Sequence, residues 1–318
     1  MPTNTKKAYP AQYMKHLFIF IITLLTYSQI LAQGCSDAGF CSLGDLKNHN
    51  EPDSSRKSIS VGLNYGLGEE GTSTINSYLE YTQMLGNRFG FQSKITATYA
   101  AGFLGSNFTI GDLFATLTYK PAISGKNDLN FIGGLKIPLT DGNAKNNNNL
   151  PLPLDYQATI GTYDAIAGLN YIVDKKWEFD AAVQIPLIQQ NNSTFFPELY
   201  TDPRIIKFAP TNNFKRQSDV LARLGYYIQI PHSGITLKPS LLAIYHVGDD
   251  TYLNQSGNRT TISGSQGLTL NGTVVATKKF NSGNRFEVVF GTPFIVRQVR
   301  PDGLTRGLVV NFQYTIAL

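Results

Sequence analysis

Bulky apolar residues alternate with small or polar residues along most of the chain after about residue 58. In the clearest stretch, Ile59, Val61 and Leu63 are separated by Ser60 and Gly62. Successive side chains of a β-strand point to opposite faces, so this spacing places the bulky groups on one face and the small groups on the other. The pattern predicts twelve strands, at about 58–67, 75–84, 88–100, 109–120, 128–139, 160–173, 177–187, 217–230, 234–246, 261–276, 284–293 and 306–318.

This alternation is typical of a membrane β-barrel. A soluble sheet buries its bulky face in a core, whereas a closed barrel turns that face to lipid and lines its interior with the other face. The mean hydropathy of −0.13 resembles that of a soluble chain, but only half of the residues in a barrel strand face lipid. The predicted fold class is therefore all-β: a transmembrane antiparallel up-and-down β-barrel of about twelve strands, formed by residues 58–318.

The connections between predicted strands alternate in length. Short turns are expected at 85–87, 174–176 and 231–233, and each is rich in Gly, Asn, Lys, Pro or Ser. Outer-membrane barrels have short periplasmic turns and longer extracellular loops. The sequence therefore predicts periplasmic N- and C-termini. The long polar segments predicted to face outside the cell are 140–159, 188–216 and 247–260.

Aromatic residues collect at the ends of predicted strands. Those at the ends assigned to the periplasm are Phe89, Tyr119, Tyr171, Trp177 and Phe286. Those at the opposite ends are Tyr65, Tyr99 and Tyr245. Such girdles are typical of the two interfaces that a barrel crosses. A soluble sandwich with an aromatic core is the alternative, and it does not explain why the aromatic residues gather at strand ends.

The N-terminus has the pattern of an export signal. Lysines precede the apolar run 17–25, and Ala32 supplies a small residue at the predicted cleavage site. The chain begins its signal at Met1 or at Met14, since both give a basic segment before the apolar run. Loss of residues 1–32 removes three lysines and no acidic residue, which lowers the formal charge from +5 to +2. The basic balance belongs largely to the signal, so no nucleic-acid partner is expected.

Residues 33–57 show little apolar periodicity and are predicted to form a periplasmic leader without strands. The leader contains both cysteines of the chain, Cys35 and Cys41. In an exported protein, a disulfide that closes this short loop is the favoured interpretation. The alternative is a lipoprotein in which Cys35 is acylated after cleavage at Gly34, although a barrel already has its membrane anchor.

The inward face of the predicted barrel carries charges of both signs. The candidates for lining an interior passage are Lys94, Asp112, Lys136, Asp164, Asp180, Arg223, Lys238, Arg285 and Glu287. Charges that pair across strands would be structural, whereas unpaired charges would set the electric field in a pore. Lys136 and Asp164 fall at similar depth on neighbouring strands, so these two side chains are expected to interact.

No catalytic, cofactor-binding or metal-binding residues are predicted. The sequence has neither a nucleotide-binding loop nor a nucleophile elbow, and its four histidines are too scattered for a histidine-based metal site. His246 is the one candidate for a barrel hydrolase. It falls on the inward face, and no neighbouring segment offers an obvious partner. The chain is therefore not expected to be an enzyme.

Several segments resemble a known transporter family. Gly111-Asp112-Leu113, Gly134–Pro138, Gly161–Asp164 and Ser263–Leu270 are similar to segments of the outer-membrane (FadL-like) transporters of the meta-pathway of phenol degradation. The resemblance covers most of the chain after residue 58. It implies a barrel of about this strand number that passes small, often apolar or aromatic, solutes. The cysteine-containing leader departs from the family, as does Leu318, since an aromatic residue is common at the C-terminus of such barrels.

The function predicted is a bacterial outer-membrane channel or transporter for passive uptake of small solutes. Its expected partners are outer-membrane lipid and a small-molecule solute, and no cofactor is expected. No energy-coupling element is visible in the sequence. The main alternative is a structural or surface-interaction barrel with a blocked interior, whose long loops at 140–159 and 188–216 carry the function.

Overall fold

The computed structural model describes residues 57–122, 125–302 and 308–318. The predicted signal, both cysteines and the leader up to residue 56 lie outside these residues. Within them no helix has the length and apolar character needed to cross a membrane. The strands are β1 Lys57–Leu67, β2 Ser73–Leu85, β3 Phe89–Gly102, β4 Gly105–Tyr119, β5 Asp128–Pro138, β6 Thr162–Val173, β7 Trp177–Gln189, β8 Asp219–Tyr226, β9 Ile228–Ile230, β10 Ile235–His246, β11 Thr251–Leu253, β12 Arg259–Thr261, β13 Gly267–Lys279, β14 Arg285–Ile295 and β15 Leu308–Ala317. Four short 3-10 helices are η1 Glu69–Gly71, η2 Leu154–Tyr156, η3 Pro197–Leu199 and η4 Pro203–Lys207.

The strands close into an antiparallel barrel with twelve strand positions, as predicted. β15 returns to pair with β1, where Ser60 lies opposite Thr315. β8 and β9 share one position, since both pair with β10. β10 then pairs directly with β13, and β11 and β12 form a separate hairpin in the connection between them. Closure leaves no unpaired sheet edge, which is the condition for a sheet to cross a bilayer.

The predicted strand ends agree with the structure to within three residues, with two exceptions. β4 begins at Gly105, because the β3–β4 hairpin continues to a tight turn. The predicted strand 261–276 is wrong at its start, since β13 begins at Gly267 and Thr261 belongs to the loop hairpin β11–β12. Gly264 and Gly267 have φ angles of 85° and 148°. These angles turn the chain sharply in a segment whose threonine and isoleucine content favours one continuous strand.

The outward face is apolar along the middle of the barrel. Leu117 and Leu135, on neighbouring strands, are 52% and 51% exposed. Thr116, the residue beside Leu117, faces inward and is buried. A soluble monomer rarely exposes so continuous an apolar surface. The alternation predicted from the sequence is confirmed, and the exposed band is the surface that lipid covers.

Aromatic residues ring the end of the barrel that carries the short connections, here called the turn end; the opposite end is the loop end. At the turn end, the rings of Phe89 and Tyr119 have centroids 5.1 Å apart, and those of Trp177 and Tyr226 are 4.7 Å apart. The exposed rings at the loop end include Tyr65, Tyr99 and Tyr245. Both girdles predicted from the sequence are present.

The long connections at the loop end fold against one another, and we call this assembly the loop cap. Leu152 and Tyr156 are fully buried and pack with Phe195 and Ile205 of the next long connection. A second apolar cluster joins Leu154, Ile160, Phe214 and Ile262. The sequence predicted these connections to be polar loops. Their scattered apolar residues show no period, so nothing in the pattern indicates a packed assembly.

We expect Phe290→Arg to lower the free energy of unfolding by about 2–4 kcal/mol, because a charge at mid-depth would face lipid. Phe290 is exposed on the outward face near the middle of β14. Val289→Arg is the matched control, since the neighbouring Val289 faces inward and is only partly buried. Reversible unfolding from lipid vesicles, followed by the fluorescence of the single tryptophan, Trp177, measures both variants. Equal losses would contradict the assigned facing.

Candidate functional site

Two parts of the inward surface differ in how exposed their side chains are. The packed wall is formed by the inward faces of β4–β8 and β10, and the open wall by those of β13–β15, β1 and β2. On the packed wall one apolar cluster consists of Phe114, Ile166, Ala182, Leu221, Leu242 and Ile244, none more than 5% exposed. The inward residues that keep partial exposure on the open wall include Asn64, Tyr78, Thr273, Val289 and Asn311. Partly exposed inward residues are therefore more frequent on the open wall, where they alternate with buried ones such as Glu80 and Gln313.

Above the apolar cluster, towards the loop end, the packed wall holds a buried ion pair. The Nζ of Lys136 lies 3.0 Å from Asp164 and 3.9 Å from Asp112. Gln184 donates a hydrogen bond to Asp164. The hydroxyl of Thr159, a residue of the loop cap, donates to Asp112 at 2.5 Å. The expected contact between Lys136 and Asp164 is present, and the same group of residues ties the loop cap to the barrel wall.

Towards the turn end, polar side chains cross four neighbouring strands of the packed wall in one row. Arg223 lies 3.6 Å from Asp180, which accepts a hydrogen bond of 2.6 Å from Asn170. Asn130 donates to Asn170 at 2.9 Å. Register places these residues side by side, since each is the direct partner of the next across the sheet. The row therefore pairs buried polar groups of neighbouring strands with one another.

Lys238 forms a second ion pair beside this row. Its Nζ lies 3.0 Å from Glu178, and the hydroxyl of Tyr227 also donates to Glu178. The carboxylate of Glu178 is fully buried. Charges this far from water are tolerated only when they are paired and hydrogen-bonded. These charges are therefore structural in this arrangement.

The open wall presents mainly uncharged polar groups. The hydroxyl of Tyr78 donates to Gln313 at 2.8 Å and accepts from Asn311 at 3.2 Å. Its ring lies across Gly62, where a Cβ would come within 2.0 Å of the ring. Lys94 lies 3.9 Å from the centroid of the same ring. A glycine at 62 is thus required for the ring to lie against β1, which keeps the space in front of it accessible.

The nine predicted interior residues divide between the two kinds of surface. Those that are buried are Lys94, Asp112, Lys136, Asp164, Asp180 and Lys238. Those that keep partial exposure are Arg223, Arg285 and Glu287. Arg285 and Glu287 lie on the open wall near the turn end, and Glu287 accepts a hydrogen bond of 3.3 Å from Thr277. The inward charges that contact accessible space are therefore concentrated on β14.

A further group of charges meets where β8 and β10 enter the loop cap, and we call it the loop-end ionic cluster. Its members are Arg216, Asp219, His246, Asp250, Arg297 and Asp302, all at most 5% exposed. The imidazole of His246 lies between two carboxylates: Nδ1 is 2.7 Å from Asp219 and Nε2 is 2.7 Å from Asp250. Among the described residues no group of histidine, cysteine, aspartate and glutamate side chains is arranged to hold a metal ion.

Two arginines complete the loop-end ionic cluster. Arg297 lies 2.5 Å from Asp302 and 3.9 Å from Asp250, and Arg216 pairs with Asp219 and lies 3.7 Å from Asp302. Burial by itself would raise the pKa of Asp302, but the two guanidinium groups outweigh burial and bring this pKa to about 2. Asp302 is therefore ionised at every physiological pH.

Sequence reasoning missed the loop-end ionic cluster. The expectation that no neighbouring segment supplies a partner for His246 is wrong. Its partners lie 27 and 4 residues away along the chain, and Asp250, Arg297 and Asp302 stand in connections that carry no strand pattern. The available signal was the inward facing of both Asp219 and His246 on strands that neighbour each other in the predicted meander.

In the loop cap, burial of Asp155 gives its carboxylate a raised pKa. Burial raises the pKa of Asp155 in η2 to about 7; its own backbone N–H and Arg300 lower it, while Glu69 and Asp302 raise it further. Arg300 itself lies 3.2 Å from Glu69. A protonated Asp155 is thus the form that the folded loop prefers in mildly acidic solution.

Solved structures with a similar fold are outer-membrane barrels. An outer membrane channel from Pseudomonas putida F1 matches with a TM-score of 0.59 and 15% identity, over 85% of this chain and 98% of that channel. The KdgM porin matches with a TM-score of 0.44 and 8% identity, over 82% of this chain and 99% of the porin. The NanC porin matches with a TM-score of 0.44 and 10% identity, over 82% of this chain and 98% of the porin. No protein-family model and no curated protein matches the sequence.

The similarity to the Pseudomonas putida channel establishes the fold. The chain is an outer-membrane β-barrel, and the fold together with its apolar outer band places it in the bacterial outer membrane. At 15% identity the similarity to the channel extends no further than the fold.

Lys136→Met should lower the free energy of unfolding by about 3–5 kcal/mol, because it leaves two buried carboxylates without their shared cation. The double variant Lys136→Met/Asp164→Asn should recover part of this loss. Lys120→Met is the control: Lys120 and Asp128 form a more exposed pair at 3.3 Å, and its removal should cost less than about 1 kcal/mol. Tryptophan fluorescence during unfolding measures all three. Equal stability of Lys136→Met and the unmodified protein would contradict a structural role.

Asp155→Asn should remove a pH dependence of the loop cap. Between about pH 4 and pH 7 the folded loop keeps the proton of Asp155 while an unfolded loop has lost it. The folded loop therefore loses stability as pH rises through this window, by at most about 1.4 kcal/mol per pH unit. Hydrogen-exchange protection of the Tyr156 and Gln157 amides measures the effect, since both donate within this turn. A fall in protection that persists unchanged in Asp155→Asn would assign the dependence to another group.

Proposed function

We propose that the barrel is a gated channel for the passive movement of small solutes across the outer membrane. The observation that carries the proposal is the difference between the two walls. The packed wall is filled by the apolar cluster and by paired charges, whereas the open wall keeps accessible side chains from Arg285 near the turn end to Asn64 near the loop end. Partly exposed inward side chains beside a filled wall are consistent with a narrow passage, although buried residues such as Ser60 and Gln313 lie between them. The loop cap covers its outer entrance.

The chemistry of the open wall favours small polar solutes. Amide, hydroxyl and phenol groups line it, and Arg285 with Glu287 adds one charge of each sign near the turn end. The resemblance to the phenol-degradation transporters implies apolar or aromatic solutes instead. The apolar cluster of the packed wall offers little support for that, since its side chains are no more than 5% exposed. Tyr78 is the main aromatic surface that a passing solute would meet.

A surface-interaction barrel is the second candidate, and the loop cap is the observation that favours it. The cap has two apolar clusters of its own and so presents a fixed outer surface. Ile206 of η4 is 76% exposed on that surface. In this alternative the interior is sealed and the cap binds a partner at the cell surface.

We infer that His246 does not act as the base of a serine hydrolase. A serine–histidine pair needs one imidazole nitrogen to face the nucleophile. Both nitrogens of His246 face carboxylates, and the ring points into the barrel and away from lipid.

We also propose that residues 1–32 are a cleaved export signal and that the chain termini are periplasmic. Both follow from the charge pattern before Leu17 and from the short connections at the turn end.

Conductance of the purified protein in planar bilayers tests the proposal. We expect unitary current steps, and a smaller unitary conductance for Val289→Trp because the indole would project from the open wall. Phe290→Trp is the matched control, since it changes the neighbouring lipid-facing residue and should leave the conductance unchanged. An absence of unitary steps in every preparation, with the barrel folded, would favour the surface-interaction alternative. Equal conductance in both variants would place the passage elsewhere.

A further inference from the structure

His246 and Asp250 together carry an additional proton. The reference is a neutral imidazole beside an ionised carboxylate, and the pair binds one proton more than that. Each ring nitrogen is 2.7 Å from a carboxylate oxygen. A neutral imidazole has one N–H and one lone pair, so with two ionised carboxylates one lone pair would face an anionic oxygen at hydrogen-bond distance. The observed contacts therefore require a further proton, either on the ring or on Asp250.

The charges around this pair give the same result. The groups that face His246 and its partners, among the described residues, are Asp219 of β8, Asp302, Arg216, Arg297 and Asp250. Three carboxylates thus meet two guanidinium groups in a site that is at most 5% exposed. The additional proton makes the cluster neutral, and its loss leaves an uncompensated negative charge away from water.

The loop-end ionic cluster also joins the segments that make the loop cap. Lys215 and Thr251 exchange backbone hydrogen bonds of 2.8 and 3.0 Å. Asp250 accepts from the backbone N–H of Gln217 at 2.9 Å and donates its own N–H to Ser265 at 2.7 Å. Arg297 donates to the carbonyl of Ser265 at 2.8 Å. Charge imbalance at the cluster therefore acts directly on three connections of the cap.

We propose that the loop-end ionic cluster is a proton-operated gate. While His246 and Asp250 hold their additional proton, the cluster is neutral and keeps the loop cap closed over the interior. When that proton leaves at higher pH, the buried negative charge loosens the connections at 215–217, 249–251 and 262–266, and the cap opens. The role as a gate rests on the proposed channel function, whereas the opening of the cap does not.

Two variants shift the gate in opposite directions. His246→Gln removes the titratable ring and leaves Asp250 as the holder of the additional proton. Because a carboxylic acid loses its proton at lower pH than an imidazolium does, the cap should open at a lower pH than in the parent. Asp250→Asn supplies a neutral amide that donates to the ring, and the two remaining carboxylates then balance the two arginines. The cap should stay closed in Asp250→Asn at high pH. Simple destabilisation by mutation cannot produce that second result.

Hydrogen exchange of the full-length protein in lipid at about pH 6 and about pH 9 measures the cap without any current. All proteins carry Asp155→Asn, which removes the other titrating group of the cap. We expect protection factors for the amides of Lys215, Gln217 and Thr251 to fall about tenfold or more at the higher pH. At about pH 6 they should be lower in His246→Gln than in the parent, and in Asp250→Asn they should be high at both pH values. His232→Asn, in an exposed turn, is the control and should behave as the parent.

Bilayer conductance of the same proteins completes the test. Open probability should rise with pH in the parent, rise at a lower pH in His246→Gln and be low throughout in Asp250→Asn. Protection that is independent of pH in the parent, or that falls equally in Asp250→Asn, would overturn the proton-operated cap. A cap that opens as expected, without current in any protein, would support the cluster's effect on the cap and overturn the channel function.

Discussion

Hydrogen bonding between β1 and β15 is the constraint on which the rest of the structure depends. In hydrocarbon every backbone N–H and C=O needs a partner within the protein, so a sheet that crosses the bilayer has to close on itself. The pairing of Ser60 with Thr315 sets this register. The two-residue period, interrupted by register shifts in three strand pairs, then assigns side chains to lipid or to the interior. The outward face is fixed to be apolar. The inward face has no such requirement, and this freedom allows one wall to be packed and the other to stay accessible.

The packed wall combines apolar contacts with buried charges in a way that fixes its arrangement. Leu221 and Ile244 lie in the apolar cluster one inward position from Asp219 and His246. A buried ion pair adds little net stability over well-packed apolar residues, but a single unpaired charge is strongly unfavourable. Each pair therefore disfavours any shift of the strands that would separate it. The hydrogen bond from Thr159 to Asp112 holds the loop cap against the packed wall in the same way.

The sequence was sufficient to predict the barrel but not the loop cap or the loop-end ionic cluster. The two-residue period and the alternation of connection lengths predicted the closed twelve-strand fold, its apolar outer band and its aromatic ends, because lipid imposes these on every strand. The same period placed Lys136 beside Asp164 in depth, so their contact was predictable. The loop cap was not, because Leu152 and Tyr156 lie in a segment without any period. The positions of Arg297 and Asp302 could not be predicted for the same reason. They are set by packing between loops, and no local sequence pattern indicates that packing.

The division of the interior into two walls also affects the order in which the barrel forms its contacts. The packed wall is one unbroken run of chain from β4 to β10, so its contacts join elements that are close in sequence. The open wall is assembled from both ends of the chain, and its Ser60–Thr315 contact spans 255 residues. Because the entropy of closing a loop grows with its length, contacts within the run can form at less cost than the final seam. The packed wall, which carries its own core, would therefore form first, and the β1–β15 seam would be the last part of the barrel to pair.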